Sequence, residues 1–209
     1  MQNAIRKGKI LNFALMGYSA GGHLALLYAY MAKQGYYNYG DKIELVISET
    51  GPTDFTGEGF YNLSDQAKAP VMALVNNNAS LLSSASPITH AVGDNLPFTI
   101  YARGEGDVTT KVDQVISLVK KLLPSYANKE DLVIETALIN NTLTDETNCA
   151  FFSFPRLGHD NFGATGSTGM IHPGVESNPT DNEQQSYKPI VINYYDKISS
   201  ILQELMQQE

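Results

Sequence analysis

The sequence predicts an α/β protein in which a mostly parallel sheet is flanked by helices. Short, almost continuously apolar runs, typical of strands buried on both faces, alternate along the chain with segments of helical periodicity. Such alternation builds parallel strands through right-handed crossovers. A glycine-rich turn joins the first strand to the first helix, and reactive residues follow three of the predicted strands. We therefore expect the functional site beyond the carboxyl ends of the strands.

Bulk properties limit the class of protein. A length of 209 residues suits one domain, so residues 1–209 are expected to form a single unit. The net charge of −8 disfavours nucleic acid and anionic membranes as partners. There is no apolar run long enough to span a bilayer and no signal-type N-terminus, which predicts a cytoplasmic location. Cys149 is the single cysteine and is expected to be a buried apolar filler.

The first half of the chain supplies two strands and one helix. Leu11–Tyr18 is the first predicted strand, because residues 11–16 are almost continuously apolar. Gly21–Gln34 is the first predicted helix, because leucine, tyrosine and methionine recur there at helical spacing. A tyrosine-rich loop separates this helix from the second predicted strand, Ile43–Ser48.

Residues 55–85 are the least regular part of the chain. They are rich in glycine, asparagine and aromatic residues at first, and Val71–Leu82 is a possible helix interrupted by three asparagines. Loops of this length are usually functional or disordered, so a cap or lid is predicted, with a long connection as the alternative. Residues 86–90 are predicted to be a turn.

The second half continues the alternation. A helix is predicted after the third strand, because apolar residues between Val112 and Leu123 share one face, and Pro124 ends it. The other predicted elements are a strand at Pro97–Arg103, a strand or hairpin arm at Leu132–Leu138, a polar loop at 140–148, a core strand at Ala150–Phe154, a surface excursion at 164–185 and a closing helix at Tyr187–Met206.

Ser19 lies in a Gly-x-Ser-x-Gly turn between the first strand and the first helix. A sharp turn of this kind exposes a serine hydroxyl above the sheet, and Gly17 and Gly21 allow strand and helix to approach closely. The N-terminus of the helix favours a developing oxyanion. Ser19 is therefore the predicted nucleophile, the alternative being a glycine-rich loop between two core elements.

Two further residues complete a candidate catalytic group. His159 and Asp107 each follow a predicted strand, in glycine-containing loops. A neutral imidazole can accept the serine proton, and a carboxylate can fix the tautomer of that imidazole. Asp54, after the second strand, is an alternative acid or else a turn cap.

Several segments together resemble the α/β-hydrolase fold, and most closely its bacterial esterase and lipase-like branch, which includes carboxylesterases and acetyl- or feruloyl-ester hydrolases. The segments are Gly17-Tyr18-Ser19-Ala20-Gly21-Gly22-His23, Ser86-Pro87-Ile88-Thr89, Gly104-Glu105-Gly106-Asp107 and Gly158-His159. The resemblance implies Ser19 as nucleophile, Asp107 as acid and His159 as base. It also implies the Ala20 backbone N–H as an oxyanion donor and a small-molecule ester as substrate. Neither a metal nor an organic cofactor is expected.

The sequence departs from this family before the nucleophile strand. The family usually has about four strands there and a His-Gly-Gly type loop that supplies a second oxyanion donor, and neither precedes Leu11. Loss of one donor lowers turnover by ~10²–10³. We expect the chain to be a fragment of a longer protein. A homo-oligomer that covers the exposed sheet edge and a compact variant are the alternatives.

Tyr18, His23 and Glu49 are the candidate substrate-binding residues, because they flank the nucleophile or follow a strand. His23 is alternatively a packed residue, and Glu49 alternatively a solvated one. His90 and His172 are predicted loop histidines, and Asp160 beside His159 has no third ligand that would indicate a metal.

The tyrosines at 36, 37 and 39 are interpreted either as residues that stack on an aromatic or sugar substrate or as a packing or partner surface. Three other functions stay open for the chain as a whole. They are a serine peptidase of the prolyl-oligopeptidase type or an amidase, a binding module that kept the serine turn, and an inactive fragment.

Overall fold

The structure is a computed structural model that describes residues 12–56, 60, 63, 65–140, 143–145, 148–154, 158–159, 194 and 196–203. The strands are β1 (Phe13–Tyr18), β2 (Ile43–Glu49), β3 (Phe98–Gly104), β4 (Thr144–Asp145) and β5 (Cys149–Phe154). The helices are α1 (Ala20–Lys33), α2 (Asp65–Leu74), α3 (Pro87–His90), α4 (Val112–Leu122) and α5 (Asp131–Ile139). Residues 194 and 196–203 are also helical and are called the C-terminal helix below.

The strands form one sheet in the order β1-β2-β3-β5-β4. The first four in this order are parallel, and the two-residue β4 is antiparallel to β5. The predicted mostly parallel α/β fold is therefore confirmed. Since parallel strands end at one edge of a sheet, the residues that follow β1, β3 and β5 meet at the same rim.

Helices cover both faces of the sheet. One core cluster joins β2 and β5 to α1, α4 and α5 through residues such as Leu26, Val46 and Phe151. The other joins the opposite face to the C-terminal helix through Tyr194 and Ile201. Burial on both faces explains why the central strands are continuously apolar. Cys149 is fully buried, as expected of an apolar filler.

Strand β1, which leads into Ser19, lies at one end of the sheet that the described residues form. Among the described residues it pairs with β2 alone, and the Met16 side chain is 51% exposed. The expected exposed edge is thus present in the described part of the chain. Self-association through that edge stays a prediction.

Several predicted elements were wrong in kind or position. Leu132–Leu138 is not a strand or hairpin arm but lies within α5, where Ile134 and Leu138 are buried four residues apart on one face. A short apolar run does not distinguish a strand from a helix, and here packing on the sheet decided it. The predicted polar loop at 140–148 contains β4, and the predicted turn at 86–90 contains α3.

The 55–85 segment folds differently from its predicted helix at Val71–Leu82. Its helix α2 starts earlier and ends before Asn76 and Asn77, whose positive φ angles of 50° and 55° are tolerated by asparagine. Phe55, Leu63 and Val71 form a separate apolar cluster in this segment. Leu63 also forms a backbone bridge to Thr110, in the loop after β3. A lid or cap role for this segment remains a prediction.

Residues 1–10 and 164–185, and most of the predicted closing helix, lie outside the described residues. The described part of that helix is helical at 194 and 196–203, as predicted. In the described ranges there is no helix with the length and apolar character needed to cross a membrane.

Candidate active site

The turn after β1 holds Ser19 in an unusual backbone conformation. Its φ of 51° and ψ of −121° are rare for a residue with a side chain, and such strain is often found at functional sites. The turn is held from the neighbouring strand, because the Ser19 backbone N–H donates to the Glu49 carbonyl oxygen at 2.8 Å. The strained conformation is therefore fixed by the sheet rather than by the turn alone.

Glycine is required in this turn by close backbone approach. A Cβ atom at Gly17 would lie 2.2 Å from the carbonyl carbon of Gly21, and one at Gly22 would lie 2.9 Å from the Gly17 carbonyl oxygen. A Cβ atom at Gly21 would meet nothing within 4 Å. Of the two glycines predicted to allow close packing, only Gly17 has no room for a side chain.

The three predicted catalytic residues lie within hydrogen-bonding distance of one another. Ser19 Oγ is 2.8 Å from His159 Nε2, and His159 Nδ1 is 2.8 Å from Asp107 Oδ2. A neutral imidazole that donates its Nδ1 proton to Asp107 has Nε2 free to accept the serine proton. The arrangement can transfer a proton from the hydroxyl to the imidazole.

Asp107 is held on both of its carboxylate oxygens. Its side chain is fully buried, and Oδ1 accepts hydrogen bonds of 2.8 Å from the backbone N–H groups of Thr109 and Thr110. Buried carboxylates are costly unless they are hydrogen-bonded, and these contacts satisfy that requirement. These contacts therefore fix the Asp107 carboxyl group beside the imidazole of His159.

Ala20 is the first residue of α1 and directly follows Ser19. The first N–H groups of an α-helix have no acceptor within the helix and point out of its N-terminus. The predicted oxyanion donor is thus placed where a backbone N–H can face an acyl oxygen on Ser19.

The sequence matches a model of a known protein family. A protein-family model described as BD-FAE matches residues 7–122, which is more than half of the chain. The chain belongs to the BD-FAE family. This is an esterase family of the α/β-hydrolase fold, and the resemblance drawn from the sequence is confirmed. The matched range contains Ser19 and Asp107, and His159 lies beyond it.

Solved structures show the same fold at low sequence identity. An esterase from Thermogutta terrifontis, Est2 with propionate bound, is 16% identical with a TM-score of 0.51, over 90% of this chain and 55% of that one. Esterase B from Lactobacillus Rhamnosis is 14% identical with a TM-score of 0.56, over 95% and 55%. A truncated carbohydrate esterase from gut microbiota is 17% identical with a TM-score of 0.50, over 94% and 64%.

The BD-FAE chain spans little more than half the length of the first two of these structures. No curated protein sequence matches it.

The predicted substrate-binding residues all contact the protein itself. Tyr18 donates its hydroxyl proton to the His159 carbonyl oxygen at 3.0 Å. His23 is buried, with Nδ1 3.0 Å from the Pro52 carbonyl oxygen and its ring stacked on Phe55 at 4.6 Å. Burial lowers the pKa of His23, which keeps this imidazole neutral. These contacts agree with the alternative of a packed residue at 23.

Glu49 is not solvated, as its alternative interpretation required, but only 5% exposed at the end of β2. It accepts a hydrogen bond of 3.0 Å from the Tyr194 hydroxyl, which ties the C-terminal helix to the sheet. Burial raises the pKa of Glu49 to about 7, and the Tyr194 hydrogen bond only partly opposes that rise. The chain thus carries a buried carboxyl group on the residue whose backbone carbonyl accepts the hydrogen bond from Ser19.

Asp54, the alternative acid, caps its own turn. Its Oδ1 accepts from both the backbone N–H and the hydroxyl of Thr56, at 2.7 and 2.6 Å. This is the turn-cap role that the sequence offered as the alternative.

Gln114 is a structural residue that the sequence analysis missed. Its fully buried side chain accepts from the N–H groups of Thr53 and Asp54 and donates to the Asp54 carbonyl oxygen. It therefore fixes the loop after β2 to α4. A polar residue beside the apolar face of a predicted helix was the available signal.

Other predicted candidates lie away from the site or outside the described residues. His90 is buried in α3 rather than in a loop, with Nε2 2.9 Å from the Ser84 carbonyl oxygen. His172 and Asp160 are outside the described residues. Within the part of the chain that the structure describes, no group of three or more potential metal ligands is found.

Proposed function

We propose that the chain is a serine hydrolase that cleaves carboxylic esters through an acyl-enzyme. The observation that carries this proposal is the unbroken hydrogen-bond chain from Ser19 through His159 to Asp107, with both distances at 2.8 Å. It is supported by membership of the BD-FAE family. Each residue then has a role that follows from its contacts.

In the first step, Ser19 Oγ attacks the ester carbonyl while His159 Nε2 takes the hydroxyl proton. Asp107 stabilises the imidazolium and keeps its orientation. The imidazolium then gives the proton to the leaving alcohol, and an ester to Ser19 remains. Water, activated by the same imidazole, releases the acid and restores the hydroxyl.

The Ala20 N–H is the proposed donor to the oxyanion that forms in both steps. Electrostatic stabilisation of this kind is usually a large share of the rate enhancement, and one donor is worth ~10²–10³ in turnover. A chain with this donor alone would therefore retain the nucleophile chemistry at a reduced rate. The substrate class is a small ester with a short acyl group. Est2 of Thermogutta terrifontis was solved with propionate bound, which suggests a propionyl ester as the first probe.

The test is labelling of the purified chain with a fluorophosphonate, together with hydrolysis of a propionyl nitrophenyl ester and an aminoacyl anilide. We expect labelling at Ser19, ester turnover and little anilide turnover. Ser19→Ala should abolish both labelling and turnover, and Ser125→Ala, which alters an exposed serine after α4, should change neither. An unlabelled chain would contradict the proposal, and preferential anilide cleavage would indicate a peptidase or amidase instead.

A further inference from the structure

Tyr18 contacts the main chain of His159 from the strand that carries the nucleophile. It is the last residue of β1, immediately before Ser19, and its hydroxyl donates to the His159 carbonyl oxygen at 3.0 Å. The two rings are also in contact, with centroids 5.4 Å apart and an angle of 44° between their planes. One strand end therefore reaches both the imidazole, through Ser19, and the backbone of the same histidine, through Tyr18.

We propose that Tyr18 is a positioning residue that holds His159 in register with Ser19, rather than a residue that binds substrate. This inference rests on the proposed function, since it assigns a role within that site. It replaces the sequence-based expectation that Tyr18 contacts substrate.

The geometry of the histidine explains why a backbone anchor is needed. Ser19 and Asp107 contact the two ring nitrogens of His159. Two contacts on one ring define an axis, and they leave the ring free to tilt about it. The backbone carbonyl lies off this axis, so the Tyr18 hydroxyl supplies the third point that fixes the orientation of the residue. Small errors in the orientation of a catalytic group strongly lower the reaction rate.

Tyr18 is itself well placed to act as a fixed point. Its backbone is paired in the sheet opposite Glu49, and its half-buried side chain packs against the core cluster that contains Tyr194. Positions on strands hold side chains more accurately than positions on loops. His159, in contrast, lies five residues beyond the end of β5. The Tyr18 hydroxyl thus links His159, which lies outside the strands, to a residue whose position is fixed by the sheet.

The hydrogen bond from Tyr18 to the His159 carbonyl oxygen does not depend on whether Ser19 is free or acylated. Once Ser19 is acylated, its Oγ has no proton to donate, and the Ser19 to His159 hydrogen bond is lost. The Asp107 contact and the Tyr18 contact remain, and the imidazole must still activate water in the second step. Tyr18 is therefore expected to matter when one of the two ring contacts is absent.

The test compares Tyr18→Phe, which removes only the hydroxyl, with the wild-type chain in ester hydrolysis. We expect kcat to fall by about 10- to 100-fold with no rise in KM, because positioning and not ground-state binding is lost. Tyr28→Phe is the matched control, since it removes one exposed tyrosine hydroxyl from α1. Its kinetics should equal those of the wild type. A raised KM with unchanged kcat in Tyr18→Phe would show a substrate contact and overturn the proposal, as would unchanged kinetics.

A second variant separates the hydroxyl from the ring. Tyr18→Leu removes both, and thermal melting of the two variants shows whether they fold. If Tyr18→Phe behaves as wild type while Tyr18→Leu is impaired, ring packing explains the effect and the positioning hydroxyl is refuted.

A spectroscopic measurement keeps the inference distinct from the proposed function. The Nδ1 proton of His159, shared with Asp107, should give a far-downfield signal in proton spectra of chain with ¹⁵N-labelled histidine. We expect this signal to shift or broaden in Tyr18→Phe and to stay in place in Tyr28→Phe. A wild-type chain that is neither labelled nor active would defeat the proposed function alone, because the spectra still report on Tyr18. An unchanged His159 signal in Tyr18→Phe would defeat the positioning role, whatever the activity.

Discussion

The two neighbouring strands β1 and β2 have similar apolar sequences and very different surroundings. In β2, five consecutive residues from Leu45 to Glu49 are buried, whereas β1 alternates between half-buried and exposed positions and includes Met16 at 51% exposure. The predicted nucleophile, Ser19, thus follows the less buried strand. Its turn is held by backbone contacts to β2, such as the hydrogen bond from Ser19 to Glu49, and by the close approach of Gly17 and α1. An apolar run predicts a strand, but it does not determine how much of that strand is covered.

The largest expected effect is at Gly17, where the exposed strand β1 is most constrained. Gly17→Ala would place a Cβ atom 2.2 Å from backbone atoms of Gly21, so the turn has to deform. We expect a loss of unfolding free energy of about 3–5 kcal/mol, in the range of severe packing defects, and loss of fluorophosphonate labelling. Denaturant unfolding measures the first and mass spectrometry the second. A stable, labelled Gly17→Ala variant would show that the turn is not held by close approach.

Truncation of one apolar side chain in each strand tests the difference in burial directly. Leu45→Ala in β2 removes a side chain with 0% exposure and should cost about 2–5 kcal/mol. Met16→Ala in β1 should cost less than about 1 kcal/mol, because half of that side chain already faces solvent. Urea unfolding of the two variants gives both values. Equal losses would mean that the exposed edge of β1 is covered in solution, for example by a second copy of the chain, which sedimentation would detect.

Burial of Glu49 at the end of β2 makes the free energy of unfolding depend on pH. Its folded pKa of about 7 is above its ordinary value of 4.5, so the folded state binds the proton more tightly than the unfolded state. Stability from this group is therefore complete below pH 4.5 and is lost as the pH rises through 7. Glu49→Gln can still accept the hydrogen bond from Tyr194. Its free energy of unfolding should exceed that of the wild type by about 2–3 kcal/mol at pH 8 and match it near pH 4.5.

The measurement for Glu49 is unfolding free energy as a function of pH. Glu44→Gln is the control, because Glu44 lies on the same strand but its carboxylate is partly exposed near Lys33. A difference between Glu49→Gln and wild type that does not change between pH 4.5 and 8 would contradict the assignment.

The smallest effect is expected at Gly21, the second glycine of the serine turn. A Cβ atom there meets nothing within 4 Å, and the residue lies in the first turn of α1. Gly21→Ala should stabilise the chain by about 0.5–1 kcal/mol, since alanine restricts the unfolded chain and favours the helix. Its melting temperature should rise slightly, with labelling of Ser19 retained. Destabilisation comparable to that of Gly17→Ala would remove the distinction between the two glycines.

The sequence by itself determined the order of the main elements and the residue types at the rim. Apolar runs identified β1, β2, β3 and β5, because strands that contribute side chains to the core of a parallel sheet are rich in apolar residues. Glycine at 17 and the position of Ser19 between a strand and a helix identified the serine turn, because few other sequences permit that backbone. Asp107 and His159 could be proposed as partners because parallel strands bring their carboxyl ends together.

Tertiary structure decided what local sequence leaves ambiguous. Leu132–Leu138 became part of a helix because Ile134 and Leu138 pack on the sheet, while its apolar residues alone suit either state. The roles of Tyr18, Glu49 and Gln114 depend on atoms far away in the chain: the carbonyl of His159, the hydroxyl of Tyr194 and the backbone of Thr53. Local sequence can mark a residue such as Gln114 as unusual, but it does not identify the partner. The partners are set by where elements pack and not by the propensities of the residues that make the contacts.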